Sequence, residues 1–168
     1  MEVEIKARVE NPKELKKTLE LIGAKFVKEK REKDMYVSHP CRDFSETDEA
    51  LRIRNDFTLT YKGPKVDEDT KSREEYYITV SDIEKTRLIL EKLGFREVAV
   101  VEKVRKYYQY GDLTICLDDV KGLGTFVEIE CMGEYSECKR AVLEFAQKLK
   151  IKNFIRKSYL EMLLESQR

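Results

Sequence analysis

Two pairs of glutamates, each pair separated by one residue, have the spacing that most directly suggests chemistry in this chain. They are Glu2 and Glu4 near the start and Glu128 and Glu130 near the end. Residues two apart share a face of a β-strand, so each pair directs two carboxylates the same way. Carboxylate oxygens are ligands that suit Mg²⁺ and Mn²⁺. If the two pairs face each other, they can build one or two divalent-metal positions.

A second set of residues is basic and falls on the same polar strand faces, beside Glu75 and Asp118. Its members are Lys6, Arg52, Arg54, Lys62, Arg73, Lys103 and Arg105. Arginine binds phosphate through forked hydrogen bonds and lysine through a point charge, and a divalent metal would reconcile the polyanion with the carboxylates. The pattern favours a metal–polyphosphate site. The alternative is a solvated sheet face whose ion pairs contribute little.

Alternation of polar and apolar residues predicts the strands that must position these side chains. The predicted strands are 1–9, 25–37, 50–54, 57–62, 73–80, 98–110, 113–120 and 126–131. Predicted helices, from caps and helical spacing, are 12–22, 82–93, 137–148 and 157–165, and the predicted loops are 38–49 and 65–72. Helix caps are assigned to Asn11 and Ser81, and Leu15, Leu19 and Ile22 are expected to be core.

These elements predict an α+β fold with its charged face turned inward. Helices must cover the apolar strand faces, which leaves the charged faces on the concave side of the sheet. We expect an eight-stranded antiparallel β-barrel with helices packed outside, an interior that holds one small ligand, and a single domain over residues 1–168.

The two halves of the chain resemble each other when one is shifted by 71 positions. The shift aligns Gly23 with Gly94 and Tyr36 with Tyr107, and both units have the predicted order strand, capped helix, long strand. Convergence on a common strand–helix–strand pattern is one explanation. The aligned glycines and tyrosines favour the other, two pseudo-repeated halves.

Composition limits the function classes. Among 168 residues, 41% are hydrophobic and 39% charged, which predicts a folded chain rather than a disordered one. Lys+Arg 33 balances Asp+Glu 33, so a generally basic nucleic-acid binder is not expected. The longest apolar runs are too short to span a bilayer. High charge with few Asn and Gln suggests a thermophilic source.

The cysteines predict a reducing location. Cys41, Cys116, Cys131 and Cys138 form no Cys-x-x-Cys pair, and His39 is the one histidine, so a zinc site is not expected. We expect reduced, mostly buried thiols in a cytoplasmic protein. The sequence leaves homodimer formation open.

In its motifs the chain closely resembles the CYTH superfamily, the triphosphate tunnel metalloenzymes, and is most similar to the class IV adenylyl cyclase (CyaB-type) branch. Each motif alone is weak, but all occur in order and nearly end to end. They are Glu2-x-Glu4-x-Lys6, Asp34-x-Tyr36, Leu51-Arg52-x-Arg54, Tyr61-Lys62-Gly63-Pro64, Arg73-Glu74-Glu75, Lys103-x-Arg105, Leu117-Asp118, Gly122-Leu123-Gly124, Phe126-x-Glu128-x-Glu130 and Lys157-Ser158-Tyr159.

This resemblance implies a tunnel that binds a triphosphate, either ATP or tripolyphosphate, together with Mg²⁺ or Mn²⁺, two ions being possible. The implied metal ligands are Glu2, Glu4, Asp118, Glu128 and Glu130, with the four glutamates also catalytic. The implied phosphate-binding residues are Lys6, Arg52, Arg54, Lys62, Arg73, Lys103, Arg105 and Lys157.

The resemblance does not choose among reactions, because one fold serves several. A cyclase converts ATP to cyclic AMP and pyrophosphate. A triphosphatase hydrolyses inorganic tripolyphosphate, thiamine triphosphate or a nucleoside triphosphate with the same tunnel residues. A non-catalytic module that binds nucleotide or polyphosphate is the third alternative. The sequence carries no recognisable signature of an adenine pocket.

Overall fold

Eight antiparallel strands form one strongly curled sheet in a computed structural model that describes Met1–Arg168. Five helices accompany the sheet, as expected for an α+β fold. The elements in chain order are β1 (Glu2–Arg8), α1 (Pro12–Leu21), β2 (Lys25–Ser38), α2 (Phe44–Thr47), β3 (Ala50–Arg54), β4 (Thr58–Lys62), β5 (Glu75–Thr79), α3 (Ile83–Lys92), β6 (Arg96–Tyr110), β7 (Leu113–Val120), β8 (Gly124–Met132), α4 (Tyr135–Lys148) and α5 (Tyr159–Ser166).

The sheet order has an internal symmetry that matches the sequence repeat. The strands run β1-β8-β7-β6-β2-β3-β4-β5, with the long strands β2 and β6 paired at the centre. Read from either edge, the order is equivalent if β1 exchanges with β5, β8 with β4, β7 with β3 and β6 with β2. The 71-residue shift carries α1 (Pro12–Leu21) onto α3 (Ile83–Lys92) without an offset. The structure therefore contains two strand–helix–strand units in equivalent places.

The two edges of the sheet are joined by the segment that leads into β5. The N–H of Lys71 donates to the carbonyl of Glu4 at 2.7 Å, and the N–H of Arg73 donates to the carbonyl of Glu2 at 3.2 Å. Glu2 and Arg73 form an isolated antiparallel bridge. This contact closes the curled sheet into a tunnel, and it places Arg73 just outside β5 rather than within the predicted strand 73–80.

The main hydrophobic core lies on the outer face of β1, β7 and β8, under α4 and α1. Val3 and Ile5 point into it from β1, and Val142 and Phe145 point into it from α4. Leu19 is completely buried there, while Leu15 and Ile22 pack against the cluster, so the three positions predicted as core are confirmed. None of the helices combines the length and apolar character needed to cross a membrane.

Helix α3 departs from the expectation that all helices bury an apolar face. It contains no buried residue, and Ile89 and Leu93 are largely exposed. Its N-cap is Asp82 rather than Ser81, because the Asp82 carboxylate accepts a hydrogen bond from the N–H of Lys85 at 2.8 Å. The predicted loop 38–49 contains the short helix α2, which is capped by Asp43.

The prediction of four reduced thiols is wrong for two of them. Cys131 and Cys138 are joined by a disulfide, and their Cα atoms are 5.4 Å apart. The short connection between β8 and α4 brings the last part of the strand beside the first turn of the helix, within disulfide range. Cys41 is free and exposed, and Cys116 is free and buried. The cysteines therefore do not support the expected reducing location.

Candidate active site

The concave side of the sheet encloses a cavity of about 470 Å³, which we call the tunnel cavity. Most of its lining is charged. The predicted residues that line it are Glu2, Glu4, Lys6, Arg52, Arg54, Lys62, Arg73, Lys103, Arg105, Glu128 and Glu130. Glu75, which was predicted to share this charged face, lines it as well. Residues that were not predicted as site residues also line it: Tyr36, Ala50, Lys71, Tyr77, Tyr107, Ser158 and Tyr159.

Three glutamates converge at one end of the cavity and form what we call the acidic cluster. Strand pairing places Glu4 directly opposite Glu130, and Glu2 lies on the same face as Glu4. Carboxylate oxygens of Glu2, Glu4 and Glu130 all lie within 4.8 Å of one another. The fourth predicted glutamate, Glu128, is not part of this cluster, although it lines the same cavity.

The confined space of the acidic cluster disfavours ionisation of all three carboxylates at once, because like charges repel and burial penalises the charged form. Burial raises the pKa of Glu2 to about 7, against the opposing charge of Lys62. Burial and the neighbouring charge of Glu2 raise the pKa of Glu130 well above its usual range. The pKa of Glu4 is lowered, because the charges of Lys71 and Lys62 outweigh its burial and the charge of Glu128.

The chemistry of the acidic cluster fits a hard divalent cation. It offers only carboxylate oxygens, which suit Mg²⁺ and Mn²⁺ and would be a poor set for a softer metal. Burial and the neighbouring carboxylates raise the pKa values of two of the three carboxylates, so their ionised forms are disfavoured without a cation. A bound cation would supply that charge.

Lys71 already supplies part of the charge and is a site residue that sequence reasoning missed. Its Nζ donates to Glu4 Oε1 at 3.0 Å, and 11% of its side chain is exposed. The charge of Glu4 raises the pKa of Lys71 despite its burial. Lys71 lies in the segment predicted as a charged loop, where no periodicity could indicate which side chain points inward.

Asp118, a predicted metal ligand, does not join the acidic cluster. The Arg105 guanidinium makes a bidentate interaction with the Asp118 carboxylate, donating from Nε to Oδ1 at 2.6 Å and from Nη2 to Oδ2 at 2.7 Å. The hydroxyl of Tyr159 donates to Oδ2 at 2.6 Å. Asp118 is fully buried, while both of its partners line the cavity. The Asp118 carboxylate thus lies on the side of Arg105 away from the cavity and holds that guanidinium in position.

Arg105 is the centre of the ion network on this side of the cavity. Besides Asp118, it donates from Nη2 to Glu128 Oε2 at 3.0 Å, and its Nη1 lies 3.6 Å from Glu130 Oε1. Lys6 reaches Glu128 from the other side at 3.7 Å. The charges of Arg105, Lys71 and Lys6 overcome burial and hold the pKa of Glu128 well below its usual range.

A second network is built around Asp34. Arg54 forks onto it at 2.6 and 2.9 Å, and Lys103 Nζ donates to it at 3.1 Å. These partners outweigh burial and lower the pKa of Asp34. The buried Glu32 binds the same cations and accepts from the hydroxyl of Tyr107. The Asp34-x-Tyr36 motif therefore positions two of the predicted phosphate-binding residues.

Two buried guanidinium groups keep an unpaired nitrogen. The Nε atoms of Arg52 and Arg73 have no hydrogen-bond partner, although each residue is only 8% exposed. Arg52 is held through Nη2 by Thr60 at 3.3 Å, and Arg73 through Nη2 by Asp48 at 3.1 Å. Buried polar groups normally find partners, so the guanidinium groups of these two cavity-lining arginines retain unsatisfied hydrogen-bonding capacity.

Lys157, which was predicted to bind phosphate, does not line the cavity. Its side chain is 57% exposed, and its Nζ donates to both carboxylate oxygens of Glu165 at 2.7 and 2.9 Å. Its backbone carbonyl accepts from Lys6 Nζ at 2.9 Å. The motif contributes through the next two residues, since Ser158 caps α5 and Tyr159 reaches the cavity.

Comparison with known proteins agrees with this geometry. The chain matches the CYTH domain family over residues 1–161. A Methanocaldococcus jannaschii protein with a provisional adenylate cyclase name is 43% identical over 171 positions, 96% of this chain and 98% of that protein. The solved structure of a Pyrococcus horikoshii OT3 protein has a TM-score of 0.89 at 41% identity and covers 99% of both chains. A Hippeastrum adenylyl cyclase homologue with a dominant triphosphatase activity shares the fold, with a TM-score of 0.70 at 21% identity over 99% of this chain and 96% of that one.

Proposed function

The chain belongs to the CYTH superfamily of enzymes, and from this premise we propose that it is a divalent-metal-dependent enzyme acting on a triphosphate in the tunnel cavity. The observation that carries the proposal is the joint presence of an acidic cluster and two unpaired, buried guanidinium nitrogens in one cavity. A cation site beside an anion site suits a metal–triphosphate complex. We extend the proposal to residues 1–168 as one functional domain.

In this proposal Glu2, Glu4 and Glu130 hold Mg²⁺ or Mn²⁺. The metal, when bound, supplies positive charge to phosphate oxygens. Arg52 and Arg73 bind phosphate through the nitrogens that lack protein partners, and Lys62 adds a point charge. Further positive charge comes from residues already held by carboxylates: Lys6, Arg54, Lys103 and Arg105. Asp118 is assigned a positioning role through Arg105.

We propose adenylyl cyclase activity as the reaction. The 3′-oxygen of ATP attacks the α-phosphorus, the bond from that phosphorus to the bridging oxygen breaks, and pyrophosphate leaves. The hydroxyl proton passes to a carboxylate of the acidic cluster. The adenylate cyclase name of the M. jannaschii relative, at 43% identity, supports this choice. The preorganised charges of Arg105 and its neighbours supply electrostatic stabilisation.

Triphosphatase activity is the second candidate. The Hippeastrum protein shares this fold and has a dominant triphosphatase activity, so the fold is compatible with hydrolysis. The charged lining would serve either reaction, because both require phosphate oxygens to be neutralised. The two reactions differ in the phosphorus attacked and in the fate of the organic group.

A product assay tests the proposal. Purified protein is given ATP and, in parallel, inorganic tripolyphosphate, with Mg²⁺ or Mn²⁺ at neutral and alkaline pH and at raised temperature. Cyclic AMP and pyrophosphate from ATP would support the cyclase. Orthophosphate from tripolyphosphate without cyclic AMP would establish the triphosphatase. Tight binding without turnover of either compound would overturn the enzyme proposal for these substrates. It would favour the third alternative, a non-catalytic module that binds nucleotide or polyphosphate.

Metal binding is expected to release protons and to tighten as pH rises from 6 to 8. Glu2, with a pKa of about 7, and Glu130, with a raised pKa, must ionise to become ligands. Below the pKa, affinity should rise up to about tenfold per pH unit for each proton released. Calorimetric titration of Mn²⁺ in two buffers of different ionisation enthalpy counts these protons. Equal affinity and no proton release at pH 6 would contradict the expectation.

A further inference from the structure

One aromatic side chain at the rim of the tunnel cavity differs from the other tyrosines of its lining. Tyr107 donates to Glu32 and Tyr159 donates to Asp118, so both are parts of the ion networks. Tyr36 is partly buried and packs against the smaller hydrophobic cluster. Tyr77 lines the same cavity but is 69% exposed. A large aromatic side chain left open to solvent beside a charged cavity has no evident role in holding the fold.

The register of the sheet places Tyr77 outward from the acidic cluster. The cluster is next to Lys62, whose charge acts on both Glu2 and Glu4. Lys62 pairs with Glu75 across the strands, with their charged atoms 3.6 Å apart. Tyr77 is two residues beyond Glu75 on the same face of β5, a step of about 7 Å. A ligand whose phosphates reach the cluster and the arginines can therefore extend towards Tyr77.

A row of side chains connects Tyr77 to the basic part of the cavity. Strand pairing aligns Tyr77 with Thr60, Thr60 with Arg52, and Arg52 with Tyr36. The unpaired Nε of Arg52 thus lies in the same row as the exposed ring. The Arg52 guanidinium, proposed to bind phosphate, and the aromatic face of Tyr77 lie in one row. This arrangement fits a ligand that is anionic at one end and aromatic at the other.

We infer that Tyr77 is the stacking platform for the nucleobase of a nucleoside triphosphate, so that the site takes a nucleotide in preference to inorganic tripolyphosphate. This inference rests on the proposed function and narrows it to a substrate class. Stacking on an aromatic face is sequence-tolerant, because every base has a π-face, so the platform selects for a base without choosing which one.

Neighbouring Tyr76 provides a matched control. It lies on the same strand and is 63% exposed, but it points to the opposite face and stacks on Tyr61 with ring centroids 6.5 Å apart and planes at 15°. Tyr76→Ala therefore removes an equally exposed ring that does not line the cavity. Tyr77→Phe keeps the aromatic face and removes only the hydroxyl.

The test is calorimetric binding of ATP and of inorganic tripolyphosphate to the full chain in EDTA, where metal-dependent turnover is halted. Tyr77→Ala is expected to weaken ATP binding roughly 5- to 100-fold and to change tripolyphosphate binding by less than about twofold. Tyr77→Phe and Tyr76→Ala should bind both compounds like the unaltered protein. Equal weakening for both ligands, or none for ATP, would overturn the inference while the proposed function stands. Failure of the unaltered protein to bind either ligand, both in EDTA and with Mn²⁺ added, would remove the proposed function itself.

Discussion

Replacing Glu130 with glutamine is expected to reduce turnover by a factor on the order of 10² to 10³ while the fold remains intact. The reason is the protonation state of this residue. Burial and the charge of Glu2 raise the pKa of Glu130 well above its usual range, which favours a neutral side chain there in the metal-free protein. Glutamine copies that neutral form in size and shape, but it cannot ionise to become an anionic metal ligand.

The measurements are thermal unfolding without metal, Mn²⁺ titration and initial rates with ATP and tripolyphosphate. Glu130→Gln should match or exceed the unaltered protein in metal-free stability and should bind Mn²⁺ more weakly. Glu102→Gln is the control, since Glu102 is on β6 in surface ion pairs with Lys33 and Lys121. Unchanged turnover and metal affinity in Glu130→Gln would show that the acidic cluster is not the metal site.

Replacing Arg105 with methionine is expected to lower the free energy of unfolding by about 3 to 5 kcal/mol, the usual effect of breaking a buried ion pair from one side. Arg105 is 6% exposed and touches Asp118 and Glu128 at hydrogen-bond distance. Its loss leaves those carboxylates buried without their main partner. For a chain of this length the midpoint of thermal unfolding should fall by about 10 °C.

Acid should reduce the difference between this variant and the unaltered protein. In the unaltered protein Glu128 has a lowered pKa, so its stabilising contribution is lost only as pH falls through that low folded value. In Arg105→Met the pKa of Glu128 rises, and protonation then relieves the repulsion at milder acidity. Arg87→Met is the control, because Arg87 bonds Glu84 and Glu91 on the exposed surface of α3. A stability loss equal to the control's would contradict the network.

Much of the fold was predictable because most elements bury one face. The alternation in β1 follows from Val3 and Ile5 entering the core, and the helical spacing of α1 follows from Leu19 doing the same. The helix α2 buries no residue, so its sequence shows no apolar periodicity. Only its N-cap, Asp43, could have indicated it. The disulfide depends on how β8 turns into α4, which is a tertiary relation.

The candidate site was predictable only to the level of which strand face a residue occupies. Asp118 is on the predicted strand face, but its carboxylate is bound by the Arg105 guanidinium, which lies between it and the cavity. The strand pattern alone does not show this contact. Lys157 belongs to a recognisable motif, yet its carbonyl rather than its amine meets Lys6. Lys71 is positioned by hydrogen bonds between its loop and β1, and no local pattern in the sequence encodes such a long-range contact.

The two equivalent halves of the sheet present unlike charges to the same ligand. The β1–β8 side carries the carboxylates of Glu4 and Glu130, while β3 in the other half carries the guanidinium groups of Arg52 and Arg54. The two ends of inorganic tripolyphosphate are chemically identical, but the two sides of the tunnel cavity differ in charge. A triphosphate that binds as proposed would therefore present one terminus to the carboxylates. The protein, rather than the ligand, would then determine which phosphorus lies at the reacting position.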